Sequence, residues 1–252
     1  MQRPSLAPQQ AARLLLEARR KGIPLENLPE VLRPLSHADA HRIQDAMVET
    51  LGGVGGWKIF AGTDPEPLLS PIPSCLVFPQ DHEAPPSPLR ISLVELEVAV
   101  TIGHDLPMRD VPYTALEAKE AIASFHPLIE LITLSWIDRE QVDRITQLAD
   151  LQNSAGFVVG PALTDWADFE PATAGSTLVF DNQEVGESSG GAGLSTIADT
   201  VAYLANHAAR RGMPLRRGHI VTTGARLVQA TGAASTIRGD VKGLGTVRTT
   251  LN

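Results

Sequence analysis

Two stretches of this chain carry acids inside runs that otherwise read as apolar strands. Ser92-Leu93-Val94-Glu95-Leu96-Glu97-Val98-Ala99-Val100 is rich in aliphatic and β-branched residues. Side chains alternate between the two faces of a strand, so Glu95 and Glu97 share one side while Leu96 and Val98 take the other. Two carboxylates about 4 Å apart repel by roughly 4 kcal/mol at an effective dielectric near 20. The pair therefore either faces water or has positive charge between its members. His126-Pro127-Leu128-Ile129-Glu130-Leu131-Ile132 is a second strand-like run, with one carboxylate in its middle. A buried lone carboxylate is costly unless it is paired or ligates a metal. Glu95, Glu97 and Glu130 together form an all-oxygen, anionic set of the kind that hard cations such as Mg²⁺ or Mn²⁺ take. Three protein ligands would leave about three of roughly six positions for water or substrate. The competing arrangement is a Glu130 paired with Lys58 or an arginine, with no metal.

Lys58 follows Gly55-Gly56-Trp57 in an apolar run. It either snorkels to the surface or meets an acid, and beside a carboxylate cluster it is a candidate acid or anion clamp. Gly218-His219-Ile220-Val221-Thr222-Thr223-Gly224 ends a strand in hydroxyls and a glycine, which suits backbone approach to a ligand or a plain turn. Arg226 just beyond is either a fork for a carboxylate or a surface residue. Gly190-Gly191-Ala192-Gly193 precedes a helix but lacks the third glycine of a dinucleotide fingerprint and the lysine of a phosphate loop, so it reads as a flexible turn. The histidines show no metal-ligand spacing and read as structural or surface groups. Ser154 has no nucleophile-elbow context.

The elements that must position these groups follow from pattern. Pro8 to Arg20 predicts a helix stopped at Gly22. Ser36-His37-Ala38-Asp39 resembles a capping box ahead of a helix with Ile43, Met47 and Leu51 on one stripe, ended by Gly52-Gly53. Val54–Phe60 reads as a strand, and the Pro-rich segment Asp64–Ser74 as a linker. These divide the chain into an N-terminal α/β domain over 1–75 and a strand-rich domain over 76–252. Thr114-Ala115-Leu116-Glu117 is a capping box opening a helix to about Ala123, and Glu140–Ala149 predicts another. Gly156–Gly160 is strand-like, and Thr177–Phe180 with Glu184–Ser189 predicts a hairpin. Leu194, Ala198, Val201, Ala205 and Ala208 mark an amphipathic helix stopped at Gly212. Ile220–Thr223 and Thr246–Leu251 close the chain as strands. The class is α+β, not a doubly wound sheet.

Composition bounds the rest. The chain has 252 residues, 43% hydrophobic and 20% charged, with a net charge of −8. That acidity, with no basic patch carrying interleaved aromatics, points away from nucleic acid. No run approaches the roughly 18 apolar residues of a membrane span, and no apolar leader opens the chain. Cys75 is the only cysteine, so no intrachain disulfide forms and a buried, inert thiol is expected. A soluble, cytoplasmic protein is the expectation.

Gly56-Trp57-Lys58-Ile59, Glu95-Leu96-Glu97, Pro127-Leu128-Ile129-Glu130, Asp150 with Asn153-Ser154, Leu204-Ala205-Asn206-His207, Val221-Thr222-Thr223-Gly224 and Gly243-Leu244-Gly245 occur in this order along nearly the whole chain. Together they resemble the 2-keto-4-pentenoate hydratase branch of the fumarylacetoacetate hydrolase superfamily. The resemblance implies a mixed β-sandwich roll with a small N-terminal domain. It also implies Mg²⁺ or Mn²⁺ held by Glu95, Glu97 and Glu130, with Lys58 as the catalytic donor and Ser154, Thr223 and Arg226 binding substrate. The implied reaction adds water to a 2-hydroxy-2,4-dienoate through a metal-bound enolate, in aromatic-compound catabolism. Alternatives are decarboxylation of a 2-oxo-3-hexenedioate and a non-catalytic relative that binds oxo acids. The implied partners are a small 2-oxo acid and further copies of the chain in a homo-oligomer. The chain departs from the pattern at Ser70-Pro71-Ile72-Pro73-Ser74, which offers no acid where several hydratases carry one; Asp64, Glu66 and Asp81 are the nearest. It departs again at Leu151, where an asparagine is common, and at Thr223-Gly224-Ala225-Arg226.

Overall fold

The computed structural model describes residues 7–60, 67–81 and 89–251. Asp64, Glu66, His82 and most of the Pro/Ser-rich run at 84–89 lie outside the described residues.

Helix α1, Ala7–Lys21, buries Ala11, Leu15 and Ala18 on one stripe and ends in Arg19, Arg20 and Lys21, where cations suit the helix dipole. Helix α2, His37–Thr50, begins at Ser36, whose hydroxyl accepts the Asp39 N–H at 3.1 Å. The Asp39 carboxylate returns the bond to the Leu35 N–H, a variant of the expected box. Both helices share a core with Leu28, Trp136, Leu148 and Leu151.

The strands are β1 (Val54–Phe60), β2 (Leu68–Pro73), β3 (Val77–Pro79) and β4 (Ile91–Ile102). Helix α3 (Ala115–Glu120) leads into β5 (Ile122–Thr133), and α4 (Arg144–Ala149) into β6 (Ser154–Val159). There follow β7 (Ser176–Phe180), β8 (Gln183–Ser188), helix α5 (Leu194–Arg210), β9 (Ile220–Ala230), β10 (Thr236–Val241) and β11 (Gly245–Thr250). They form a mixed seven-stranded sheet in the order β2-β1-β9-β4-β5-β6-β3 and a four-stranded sheet in the order β11-β10-β7-β8. This is the expected α+β sandwich-like roll. Leu96 of β4 packs directly on Gly239 of β10, where a Cβ would collide with it. That close approach puts Val94, Leu96, Val98 and Val100 in one core with Leu178, Ile237 and Val247 of the smaller sheet. The opposite face of β4 is the one that carries the acids.

Several expectations need correction. Within the segment read as a linker, Leu68–Pro73 is a fully buried strand antiparallel to β1. Its prolines disguised it, but β2 lies at a sheet edge, where a missing N–H costs no ladder bond. The α3 capping box is complete, yet the helix ends at Glu120 and the chain turns at once into β5. The single helix expected over Glu140–Ala149 is a 3₁₀ turn at Arg139–Gln141 and then α4, because the Asp143 side chain caps a new start. Strand β9 runs on to Ala230, well past Thr223, and β10 carried no signal of its own. Cys75 is exposed, not buried. The β7–β8 hairpin is as expected, with Asp181 and Asn182 both at positive φ.

Candidate metal centre

Register decides the site. Glu95 of β4 lies directly across from Glu130 of β5, and Glu97 is one pleat further along the same face. Like charges directly opposite destabilise a sheet unless something offsets them. One carboxylate oxygen from each of Glu95, Glu97 and Glu130 falls within 4.8 Å of the others, the sole such grouping of acids, histidines and cysteines among the described residues. Glu97 and Glu130 are 0% exposed.

Lys58 enters from β1. Its Nζ donates to Glu130 Oε1 at 2.8 Å and to Glu95 Oε2 at 3.3 Å. The pairing of Glu130 with Lys58 is therefore present, and the acid cluster is present with it. Burial alone would lower the Lys58 pKa, but the Glu130, Glu95 and Glu97 carboxylates outweigh it and hold the ammonium well above its usual value. Burial and the charge of Glu130 push the Glu97 carboxyl well up, against the pull of Lys58 and the Gly224 N–H. Burial also raises Glu130, against the pull of Lys58 and Ser154.

Each buried acid is anchored through one oxygen and open at the other. Glu97 Oε2 accepts the Gly224 N–H at 3.0 Å, while Oε1 has no hydrogen-bond partner. Glu130 Oε1 accepts Lys58 and the Ser154 hydroxyl at 2.6 Å, while Oε2 has none. Buried carboxylate oxygens without partners are expensive. With the three acids ionised, the single ammonium leaves two negative charges over. An all-oxygen donor set, two orphaned buried oxygens and that residual charge fit one hard divalent cation.

A cavity of about 850 Å³ opens onto this cluster. Its lining includes the polar Lys58, Glu95 and Glu97, the apolar Phe60, Leu93 and Val228, and Arg139 and Arg144. Strand β1 and strand β9 pair in parallel at Lys58 and Thr222, and Gly56 has no room for a Cβ against the Ile220 backbone. That contact explains why glycine precedes Trp57-Lys58.

The other expected site residues are placed differently. The Ser154 hydroxyl holds Glu130. The Thr223 hydroxyl donates to the Val98 carbonyl at 2.7 Å, and its neighbour Gly224, not Thr223, lines the cavity. Arg226 is not brought to the cluster: its guanidinium donates to the Ala174 and Pro171 carbonyls and lies against Gly191. Those two carbonyls occupy the fork that would otherwise be open to a carboxylate. Asp81 lies on a separate cavity beside Arg248. His126 is structural: its Nε2 lies 2.8 Å from Thr101 Oγ1 and 2.9 Å from Ser124 Oγ, and its Nδ1 lies 3.1 Å from the Gly160 carbonyl oxygen.

Gln152 and Asn153 were not singled out as site residues, although both line the cavity. They sit in a turn where Leu151, Gln152 and Asn153 have φ of 52°, 54° and 63°. Three successive left-handed residues other than glycine cost roughly 1–2 kcal/mol each. Two features of the sequence point to this turn: Leu151, where glycine or asparagine is easier, and Asn153 within the Asp150 to Ser154 motif.

The fumarylacetoacetate hydrolase C-terminal family model matches residues 66–252. A 2-keto-4-pentenoate hydratase of Paraburkholderia xenovorans is 26% identical over 97% of this chain and 96% of that protein. Another, of Burkholderia vietnamiensis, is 32% identical over 62% of this chain, and the match spans 59% of that protein's length. Among solved structures, the 4-oxalocrotonate decarboxylase of Pseudomonas putida G7, complexed with magnesium and adipate, is similar with a TM-score of 0.78 and 21% identity over 97% of each chain. The fumarylpyruvate hydrolase of Pseudomonas aeruginosa, complexed with Mn²⁺ and pyruvate, gives a TM-score of 0.56 and 18% identity over 77% of this chain and 88% of that one. At these identities the structural likeness speaks for the fold, whereas the family match covers most of the sequence and includes all three acids. The chain belongs to the fumarylacetoacetate hydrolase family.

Proposed function

We propose that this protein is a divalent-metal-dependent lyase that adds water to 2-hydroxy-2,4-dienoates of the 2-keto-4-pentenoate type. The observation that carries the reading is the pair of buried, unpartnered oxygens, Glu97 Oε1 and Glu130 Oε2, within a three-carboxylate cluster that adjoins an open cavity. In this reading Glu95, Glu97 and Glu130 hold Mg²⁺ or Mn²⁺. When bound, that cation would supply Lewis acidity toward the oxygens of a 2-oxo acid.

The chain's own residues do the rest. Gly224 N–H and Ser154 Oγ fix the rotamers of Glu97 and Glu130, as outer partners of ligating groups do. Lys58 stays cationic among three carboxylates, so it serves as a donor and not as a base. Two of its N–H groups engage Glu95 and Glu130, and the third is available to the carboxylate or oxo oxygen of a substrate in the cavity it lines. Phe60, Leu93 and Val228 on the lining give the hydrocarbon tail of a substrate apolar contacts. Full-length similarity to curated hydratases supports the same reaction class.

One observation favours a second reading, decarboxylation of a 2-oxo-enedioate: Arg139 and Arg144 on the cavity lining suit a distal carboxylate. Incubating the purified protein with Mg²⁺ and 2-hydroxypenta-2,4-dienoate, with and without EDTA, tests the first. Metal-dependent loss of the dienol absorbance with a hydrated product supports it. Release of CO₂ from a 2-oxo-enedioate without hydration of the dienoate favours the second, and no turnover of either contradicts both.

A further inference from the structure

The strained turn beside the acid cluster is bracketed by a single side chain from the far end of the sequence. Arg19, near the end of α1, makes three bonds with one guanidinium. Its Nε donates to the Asp150 carboxylate at 2.8 Å, Nη2 to the Asp150 carbonyl at 2.9 Å, and Nη1 to the Ser154 carbonyl at 2.7 Å. Asp150 and Ser154 are the residues immediately before and after Leu151-Gln152-Asn153, the left-handed run. The fork thus closes both ends of a turn that three L residues resist adopting. Inside the turn, the Asn153 N–H donates to the Asp150 carbonyl at 2.8 Å, and Trp136 Nε1 donates to Asn153 Oδ1 at 3.1 Å. Beyond it, the Ser154 hydroxyl reaches Glu130 at 2.6 Å.

We infer that Arg19 is a positioning residue for the metal centre: it holds the left-handed turn closed so that Ser154 meets Glu130 and Asn153 faces the cavity. The inference deepens the reading of Glu130 as a metal ligand and rests on it. It also gives helix α1 a task at the site, although no residue of α1 lines the cavity. The apolar docking of that helix rests on Ala11, Leu15 and Ala18, while the Arg19 side chain, 15% exposed, pairs with the fully buried Asp150. Replacing it should leave the helix docked. Lysine cannot serve in its place, since a single ammonium does not span three acceptors in one plane.

The test compares wild type with Arg19→Lys and Arg19→Met in two biophysical measurements and in turnover. The first is Mn²⁺ affinity by electron paramagnetic resonance. The second is amide hydrogen exchange, by mass spectrometry, over 150–154 and over β4 and β5. The expected result is a 10- to 100-fold weaker Mn²⁺ affinity, in the range seen when an outer partner of a ligand is lost. Faster exchange should be confined to 150–154, with β4 and β5 unchanged. Turnover at saturating Mn²⁺ should recover most of its kcat in both variants, which a general loss of folded protein would not allow. Unchanged affinity, or exchange that quickens throughout the sheet, overturns the inference. Wild-type protein that binds Mn²⁺ but turns over no dienoate contradicts the proposed reaction and leaves the comparison intact. Wild-type protein that binds no Mn²⁺ contradicts the metal reading, and the exchange measurement alone then decides whether Arg19 holds the turn.

Discussion

Glu97 and Glu130 differ from ordinary buried acids in having one anchored oxygen and one open oxygen each. Substituting glutamine keeps the shape and removes the charge. Glu97→Gln and Glu130→Gln should therefore fold, and should lose Mn²⁺ affinity by more than about 100-fold, beyond the effect of an outer partner. Calorimetric titration with Mn²⁺ checks this. Ser154→Ala removes only the hydroxyl on Glu130, so a smaller loss of about 10- to 100-fold is expected, with the fold intact. Arg226→Ala, by contrast, should leave Mn²⁺ affinity unchanged and lower thermal stability, since that guanidinium ties the Pro171 and Ala174 carbonyls and not the cluster.

Among the elements, β4 and β5 carry the site and β1 completes it. Their acid-bearing faces were legible because Glu-x-Glu in an apolar run must share a face, and Glu130 interrupts another apolar run. What the sequence could not tell was that the two runs pair with Glu95 opposite Glu130, since register depends on partners far along the chain. The same limit hid β10, and prolines hid β2. The sequence allows Lys58 to be an anion clamp or half of an ion pair, and the geometry contains the ion pair, with bonds to Glu95 and Glu130. Ser154 stands in a motif legible in the sequence, but its bond to Glu130 follows a turn whose backbone conformation propensity argues against. Gly56→Ala tests the β1–β9 junction. A Cβ there would strike the Ile220 backbone, which cannot yield as a side chain does, so a loss of about 1–3 kcal/mol in unfolding free energy is expected. Lys58 would shift with it, and chemical denaturation alongside Mn²⁺ affinity would register both effects.

Over the whole molecule, the helical cluster of α1 and α2 joins the sheets through charge as well as packing. Arg211, after α5, pairs with Asp45, donates to Gln44 and lies 5.0 Å from the Trp57 ring. Gln44 in turn donates to the Leu69 and Leu148 carbonyls. His41 in this junction has its pKa lowered to about 3 by burial and by Arg211. The folded state thus keeps His41 neutral while the unfolded chain binds a proton below its ordinary value near 6.5. Its contribution to stability is full above pH 6.5 and is lost as pH falls toward 3. Replacing His41 with leucine should flatten the slope of stability against pH over that window by about one proton per molecule, measured by denaturation at a series of pH values. We propose that residues 1–75 form a unit docked on 76–252, its helical core completed by Trp136, Leu148 and Leu151 and its strands β1 and β2 hydrogen-bonded into the main sheet. No helix among the described residues is long and apolar enough to cross a membrane. The central claim is that three acids, each supplied by a different position on two paired strands, converge on one dication. A crystal grown with Mn²⁺ and oxalate, phased to reveal anomalous scatterers, tests it most directly. One strong peak among Glu95, Glu97 and Glu130, with oxalate on its cavity side, is the predicted result. Density for Mn²⁺ elsewhere, with Lys58 filling the space between the carboxylates, would contradict it.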